Sequence, residues 1–102
     1  MITTTQQALN LIGLSLRANQ QISGEPLVLQ AIRQKKAQLV LLANDAGSNL
    51  QKEITNKCDY YHIPVVNKLT TVQLSQAIGK PRTVIAITCS GFAKKIQTLL
   101  NE

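Results

Sequence analysis

The residues best suited to chemistry in this chain are its two cysteines, a single histidine and a few isolated carboxylates. Cys89 lies in the segment Thr88-Cys89-Ser90-Gly91-Phe92, and a thiol at the opening of a helix that follows a strand can ionise readily and attack an electrophile. The sole histidine, His62, is far from Cys89 in sequence, and the glycine and serine content around Cys89 is too low for a phosphate cradle. We therefore predict that the chain is not an enzyme.

Other catalytic or ligand-binding patterns are also missing from the sequence. Asp45 ends an apolar segment, as in phosphorylated receiver domains, but the acidic pair that would hold magnesium is absent. There is neither a GxGxxG nor a GxxxxGK[ST] motif. Cys58 and Cys89 belong to no CxxC or His/Cys cluster, so no disulfide framework or zinc site is predicted. Both cysteines are interpreted as small buried hydrophobes, and no cofactor or metal is expected.

The charge balance favours a polyanionic partner. The 102 residues carry 11 Lys and Arg against 5 Asp and Glu, which gives a net charge of +6 and a pI of about 9.7. Nucleic acid is the favoured partner and a membrane surface the second. With only 3% aromatic residues the chain lacks a platform for stacking single-stranded bases, which favours structured RNA. No signal-like N-terminus or membrane-length apolar run is present, so a cytoplasmic location is expected.

Apolar periodicity and capping residues predict helices that alternate with strands. Helices are expected after caps at Thr3 to Thr5, over Glu25 to Lys36, from Ser48 or Asn49, from Thr70 or Thr71 to a stop at Gly79, and from Ser90-Gly91 onward; strands are expected at Leu39 to Ala43, His62 to Val66 and Thr83 to Thr88. This alternation predicts one α/β domain over residues 1–102, a three-layer α/β/α sandwich around a mostly parallel sheet.

The predicted sheet indicates where a ligand would bind. In parallel α/β sheets, ligands bind beyond the carboxyl ends of the strands. The segments to search are therefore Ser23 to Pro26, Asn44 to Asn49 and Cys89 to Phe92. The loop Gly79 to Thr83 enters a strand, so topology alone puts it at the opposite end of the sheet.

Four segments resemble a known family in order and spacing. They are Leu-Ile-Gly-Leu-Ser-Leu-Arg-Ala at 11–18, Ser-Gly-Glu at 23–25, Leu-Val-Leu-Leu-Ala-Asn-Asp-Ala at 39–46 and Ala-Ile-Gly-Lys at 77–80. Together they resemble the bacterial YlxQ-type members of the ribosomal-protein superfamily that binds kink-turn RNA. The resemblance implies a three-layer sandwich and a non-catalytic protein that recognises structured RNA, kink-turn-like or ribosomal, as an accessory factor of translation or transcription. The alternative is a protein-interaction module of a ribosome or transcription complex.

The resemblance also implies an RNA-binding site. Carried across position by position, its residues are Ser23, Gly24, Glu25, Val28, Asp45, Lys80, Pro81, Arg82 and Thr83. Three positions depart from the kink-turn pattern: Gly24 stands where tight binders have Asn, Val28 where they have Lys, and Lys80-Pro81 where they have a hydrophobic loop residue. These departures weaken kink-turn specificity more than RNA binding.

Five of these residues have a specific role to play at an RNA surface. Gly24 would let a sugar–phosphate backbone approach closely. A carboxylate repels phosphate, so Glu25 would accept a hydrogen bond from a base edge, or would simply complement the helix N-terminus. Asp45 has the same two alternatives, base recognition or capping of a turn. Lys80 and Arg82 would contact phosphate or stack on a base.

The densest basic cluster lies elsewhere in the sequence. Arg33, Lys35 and Lys36 close the second predicted helix, where cations are favoured without any ligand, so they are interpreted as a solvated helix end. Lys94 and Lys95 are expected to face solvent and to widen the positive field.

Overall fold

The computed structural model describes residues 2–101 as alternating helices and strands. In chain order these are α1 (Thr4–Arg17), β1 (Gln21–Ser23), α2 (Glu25–Arg33), β2 (Leu39–Leu42), α3 (Ser48–Tyr61), β3 (Val65–Val66), α4 (Thr71–Ile78), β4 (Val84–Ile87) and α5 (Ser90–Leu100). Within the described range, no helix combines the length and the apolar character needed to cross a bilayer.

The core lies on both faces of the two central strands. Every residue of β2 and β4 is buried, as expected for strands covered by helices on both sides. Helix α1 packs against α4 and α5, α2 packs against α3, and the sheet contacts both groups. The backbones of α1 and α4 lie close together at Gly13. A Cβ at this position would lie only 3.0 Å from the carbonyl oxygen of Ala77. The predicted α/β class is confirmed.

The sheet is mixed, so the prediction of a mostly parallel sheet is wrong. Its order is β1-β4-β2-β3, and β4 runs antiparallel to both β1 and β2, whereas β2 and β3 are parallel. No strand was predicted at β1, because three residues with a single apolar side chain, Ile22, are too few to show the periodicity of a strand. As a consequence of the antiparallel pairing, Leu42 near the end of β2 and Ser23 at the end of β1 lie opposite Val84 and Ile85 at the start of β4.

The helix caps explain where several elements begin and end. Thr3 accepts a hydrogen bond from the Gln6 amide, and Thr70 and Gln73 form a capping box at α4. Gly79 ends α4 in the left-handed region at φ 77°, as predicted. Other boundaries differ from the predictions: α2 ends at Arg33, α3 is capped by Gly47 without a side-chain bond, and β3 has two residues.

Candidate nucleic-acid interface

Three connecting segments meet at one end of the sheet, and we call them the loop surface: Ser23–Glu25, Asn44–Asp45 and Lys80–Thr83. The amide of Ala43 donates to the carbonyl of Thr83 at 2.8 Å, and the amide of Gly24 donates to the carbonyl of Val84 at 3.1 Å. The expectation that Gly79 to Thr83 lies at the opposite end is therefore wrong, because β4 is antiparallel to its neighbours. The observed position agrees with the one implied by the family resemblance.

Gly24 opens α2 in a conformation that requires glycine. Its φ of 94° and ψ of 142° lie in a region that residues with a Cβ rarely occupy. No side chain caps α2, so no side-chain oxygen accepts a hydrogen bond from the first backbone amides of this helix. Free amides at a helix N-terminus, together with the helix dipole, favour an anion.

Arg82 lies next to this helix opening. Its Nε donates to the Ser23 hydroxyl at 3.2 Å, and one terminal nitrogen donates to the Pro81 carbonyl at 2.7 Å. A Cβ on Gly24 would lie 3.6 Å from the Arg82 Nε, so the guanidinium stem covers the glycine at ordinary contact distance. A guanidinium has five N–H donors, and these two bonds leave the others for a phosphate or a base.

Ser75 fixes the backbone of the Lys80–Thr83 segment, although sequence analysis did not identify it. Its hydroxyl accepts a hydrogen bond from the Arg82 amide at 3.1 Å and donates to the Arg82 carbonyl at 3.3 Å. The hydroxyl therefore ties this segment to the middle of α4. The one available signal was a small polar residue on a half-buried helix position, which is common and carries no information about a partner seven residues away.

Asp45 has a structural role in this surface. Its Oδ1 accepts hydrogen bonds from the Thr71 hydroxyl at 2.7 Å and from the Thr71 amide at 2.9 Å. These two bonds, led by the one from the hydroxyl, hold the pKa of the Asp45 carboxyl below its ordinary value. Asp45 thus joins the loop after β2 to the first turn of α4, whose middle carries Ser75.

Glu25 is exposed and pairs with a second carboxyl group. The pKa of Glu25 is raised chiefly by a side-chain hydrogen bond with Glu53 on α3, then by loss of hydration and by the charge of Glu53. Sequence analysis did not single out Glu53, because the two residues lie on different helices and only the packing of α2 on α3 brings them together.

The other residues of the predicted RNA-binding site differ in their exposure to solvent. Lys80 and Pro81 are exposed, and Ser23 and Thr83 are half-buried. Val28 is fully buried in the core, so its side chain is not available for RNA contact and we leave it out of the loop surface.

The cysteines differ from each other. Cys58 is buried as predicted, and burial raises its pKa to about 11, which makes the thiol inert. Cys89 is partly exposed at the start of α5, so its interpretation as a buried hydrophobe is wrong. Because β4 is antiparallel, Cys89 to Phe92 lies at the end of the sheet away from the loop surface. Within residues 2–101, no three His, Cys, Asp or Glu side chains cluster in a way that could hold a metal ion.

A family model and two similar proteins indicate which family the chain resembles. Residues 6–97 match the Ribosomal protein L7Ae/L30e/S12e/Gadd45 family. The RNA-binding protein YlxQ of Enterococcus faecium is 44% identical over 95 residues, which cover 93% of this chain and 92% of that protein. The RNA-binding protein YlxQ of Bacillus subtilis is 46% identical over 92 residues, 89% of this chain and 92% of that protein. The resemblance drawn from the sequence is confirmed, and with it the prediction of a chain that is not an enzyme.

Solved structures share the fold. A Bacillus halodurans protein of unknown function superposes with a TM-score of 0.90 at 38% identity, over 93% of this chain and 97% of that one. The Giardia lamblia 15.5kD RNA binding protein superposes with a TM-score of 0.78 over 99% of this chain and 88% of that one. At 19% identity, the second likeness concerns the fold alone.

Proposed function

Because the chain belongs to the Ribosomal protein L7Ae/L30e/S12e/Gadd45 family, we propose that it is a non-catalytic RNA-binding protein whose loop surface recognises structured RNA. RNA binding is supported by the two relatives described as RNA-binding proteins, at 44% and 46% identity over most of the chain. The net charge of +6 is of the sign that such a partner requires.

The observation that carries this proposal is that two segments of the loop surface, together with helix α4, meet at Arg82. The Arg82 side chain touches Ser23 and Gly24, and Ser75 fixes its backbone. A guanidinium beside the uncapped opening of α2 provides charged and neutral N–H donors for the same phosphate group. The absence of a side chain on Gly24 leaves room for the Arg82 guanidinium to lie against the opening of the helix.

Glu25 gives this surface the means to read bases. A carboxylate at a phosphate-binding surface favours contact with the donor edge of a base, such as the amino and imino groups of guanine. In a continuous A-form helix, Watson–Crick pairing engages the guanine imino group and one amino hydrogen, and both become free in internal loops and bulges. The ligand we propose is therefore RNA with an internal loop, kink-turn-like or ribosomal, and the cellular role is that of an accessory factor of translation or transcription.

The proposal is tested by comparing two RNAs, a hairpin with a purine-rich internal loop and a fully paired hairpin of the same length. Wild type should bind the first more tightly, and Glu25→Gln should lose that preference, because a good base contact is worth about 1–3 kcal/mol. The control is Lys52→Gln, which changes an exposed side chain next to Glu53 on α3 and should keep the preference for the internal-loop hairpin. Equal binding of both RNAs by wild type would overturn the proposal, and no binding at all would favour a protein-interaction module.

A further inference from the structure

Positive charge is concentrated at the end of the molecule away from the loop surface. The loop surface carries two acids, Glu25 and Asp45, and two bases, Lys80 and Arg82, so its own charge is close to zero. We define the basic end as Arg17, Arg33, Lys35, Lys36 and Lys94. It holds five of the 11 cations of the chain, and the segments that carry them, residues 17–22, 33–38 and 88–97, contain no acidic residue.

The strand pairing brings these segments together. Gln21 at the start of β1 and Leu39 at the start of β2 both lie opposite Ile87 at the end of β4. The Gln38 amide donates to the Ile87 carbonyl at 2.7 Å, and the Thr88 amide donates to the Gln20 carbonyl at 3.0 Å. The α1–β1 turn, the α2–β2 turn and the opening of α5 therefore meet at one end of the sheet.

Two depressions that share Gln38 lie on the surface between these segments. One is lined by Asn19, Ile22, Lys36 and Thr88, and the other by Ser90, Ala93, Lys94 and Gln97. Each depression thus has one lysine beside a mixture of neutral polar and apolar groups. The lysines and the neutral polar groups can contact a phosphate backbone without reading its sequence.

The turn that presents the lysines is fixed by the backbone. Lys35 occupies the left-handed region at φ 59°. The Lys35 amide donates to the Ile32 carbonyl at 3.1 Å, and the Lys36 amide donates to the Ala31 carbonyl at 2.9 Å. Two cations therefore leave the chain at a defined place, which reduces the ordering that binding would otherwise cost.

Favourable interaction with the helix dipoles accounts for only some of the cations at the basic end. Arg17 and Arg33 end α1 and α2, where the helix dipole favours a cation. Lys94 lies one turn into α5, towards the positive end of that dipole, where a cation gains nothing from it. A membrane surface is the weaker partner, since none of the large apolar side chains that are prominently exposed in residues 2–101 lies in these segments.

We propose that the basic end is a second RNA-binding surface, which holds the phosphate backbone of a duplex segment while the loop surface reads an internal loop. The inference rests on the proposed RNA-binding function for the nature of the ligand. The two surfaces lie at opposite ends of the strands. The protein would bring two segments of a folded RNA, or two RNAs, to opposite sides of one sheet.

The test uses a blunt, fully paired RNA duplex of about 20 base pairs, which offers phosphates but no internal loop. Its affinity for wild type is compared with that for the triple variant Lys35→Gln, Lys36→Gln, Lys94→Gln. The control is Lys52→Gln, Lys57→Gln, Lys68→Gln, in which three exposed lysines elsewhere are changed and the net charge is the same. Thermal unfolding verifies that each variant is folded. Arg82→Ala serves as the loop-surface variant.

If three phosphate contacts are lost, wild type should lose roughly 20- to 40-fold more duplex affinity than the triple variant as salt rises from about 50 to about 200 mM. The control and Arg82→Ala should follow wild type. Equal salt dependence of the triple variant and the control would overturn the inference, because net charge alone would then account for binding. Failure of wild type to bind the duplex would also overturn it. The proposed function is judged separately, by the preference of wild type for the internal-loop hairpin.

Discussion

The hydroxyl of Ser23 accepts a hydrogen bond from the Nε of Arg82 at 3.2 Å, although the two residues are 59 positions apart in the chain. This bond joins the end of β1 to the loop that precedes β4. Together with the Ser75 contacts, it holds the guanidinium beside the opening of α2 in the protein without RNA. A cation fixed in this way loses less conformational freedom on binding than a free side chain does.

The double change Lys80→Ala, Arg82→Ala should lower RNA affinity and its salt dependence. If each side chain contacts one phosphate, the slope of log affinity against log salt should fall by about 1.5 to 2. Titration of the internal-loop hairpin at several salt concentrations measures the slope. An unchanged slope would remove both residues from the phosphate contacts.

Ser75→Ala should weaken RNA binding several-fold while leaving the salt slope unchanged, because the charged contacts remain but their loop is no longer fixed. Loss of both hydrogen bonds to Arg82 should also lower the free energy of unfolding by about 1–2 kcal/mol. Ser75→Thr keeps the hydroxyl and should restore RNA affinity. Ser48→Ala, at an exposed helix start, is the control. RNA affinity of Ser75→Ala equal to that of wild type would show that the loop needs no such support.

Gly24→Ala should destabilise the protein by about 1–3 kcal/mol, because its backbone conformation is strained for any residue with a Cβ. The nearest side-chain atoms would be at ordinary contact distance, so the cost comes from the backbone and not from a clash. Gly47→Ala is the matched control, since Gly47 also precedes a helix but has φ −58° and open space around it. Chemical denaturation of both variants compares the costs. Equal stability of the two would contradict the assigned conformation of Gly24.

The Glu25–Glu53 pair should make folding stability depend on pH. Because the pKa of Glu25 is raised in the folded protein, the folded state binds more protons than the unfolded state between the ordinary and the raised value. Stability should therefore fall as pH rises through that interval. Glu53→Gln removes the charge of the partner and should flatten this part of the profile in denaturation experiments, whereas an unchanged profile would argue against the pairing.

Asp45 should have the opposite effect on the pH profile. Its pKa is lowered by the bonds from Thr71, so its contribution to stability is complete above the ordinary aspartate range and is lost as pH falls through the lowered value. Asp45→Asn should reduce stability at neutral pH and remove part of the acid sensitivity. Thr71→Val should have a similar effect, and stability of both variants equal to wild type would remove this contact from the account.

Much of the fold could be predicted from local patterns, because buried strands such as Leu39 to Leu42 and capped helices such as the one after Thr70 carry strong signals. The direction of β4 could not, since Val84 to Ile87 has the same pattern in either orientation. That direction depends on the pairing with β1, in which Ile22 is the one apolar residue. The family resemblance, rather than the topology argument, indicated that Lys80 to Thr83 belongs to the loop surface.

The supporting residues of the site were harder to find. Ser75, Thr71 and Glu53 act through contacts with residues that are distant along the chain or on another helix, and no spacing rule identifies them. Val28 shows the opposite error. The family resemblance placed it among the RNA-contacting residues, but its side chain is fully buried.

Ultraviolet crosslinking of the protein to cellular RNA, followed by mass-spectrometric mapping of the crosslinked peptides, tests the central claim most directly. RNA bound at the loop surface should give crosslinks within residues 23–27 and 79–83, and Arg82→Ala should reduce them. Crosslinks confined to other parts of the chain, with none in these two segments, would contradict the assignment of RNA recognition to the loop surface.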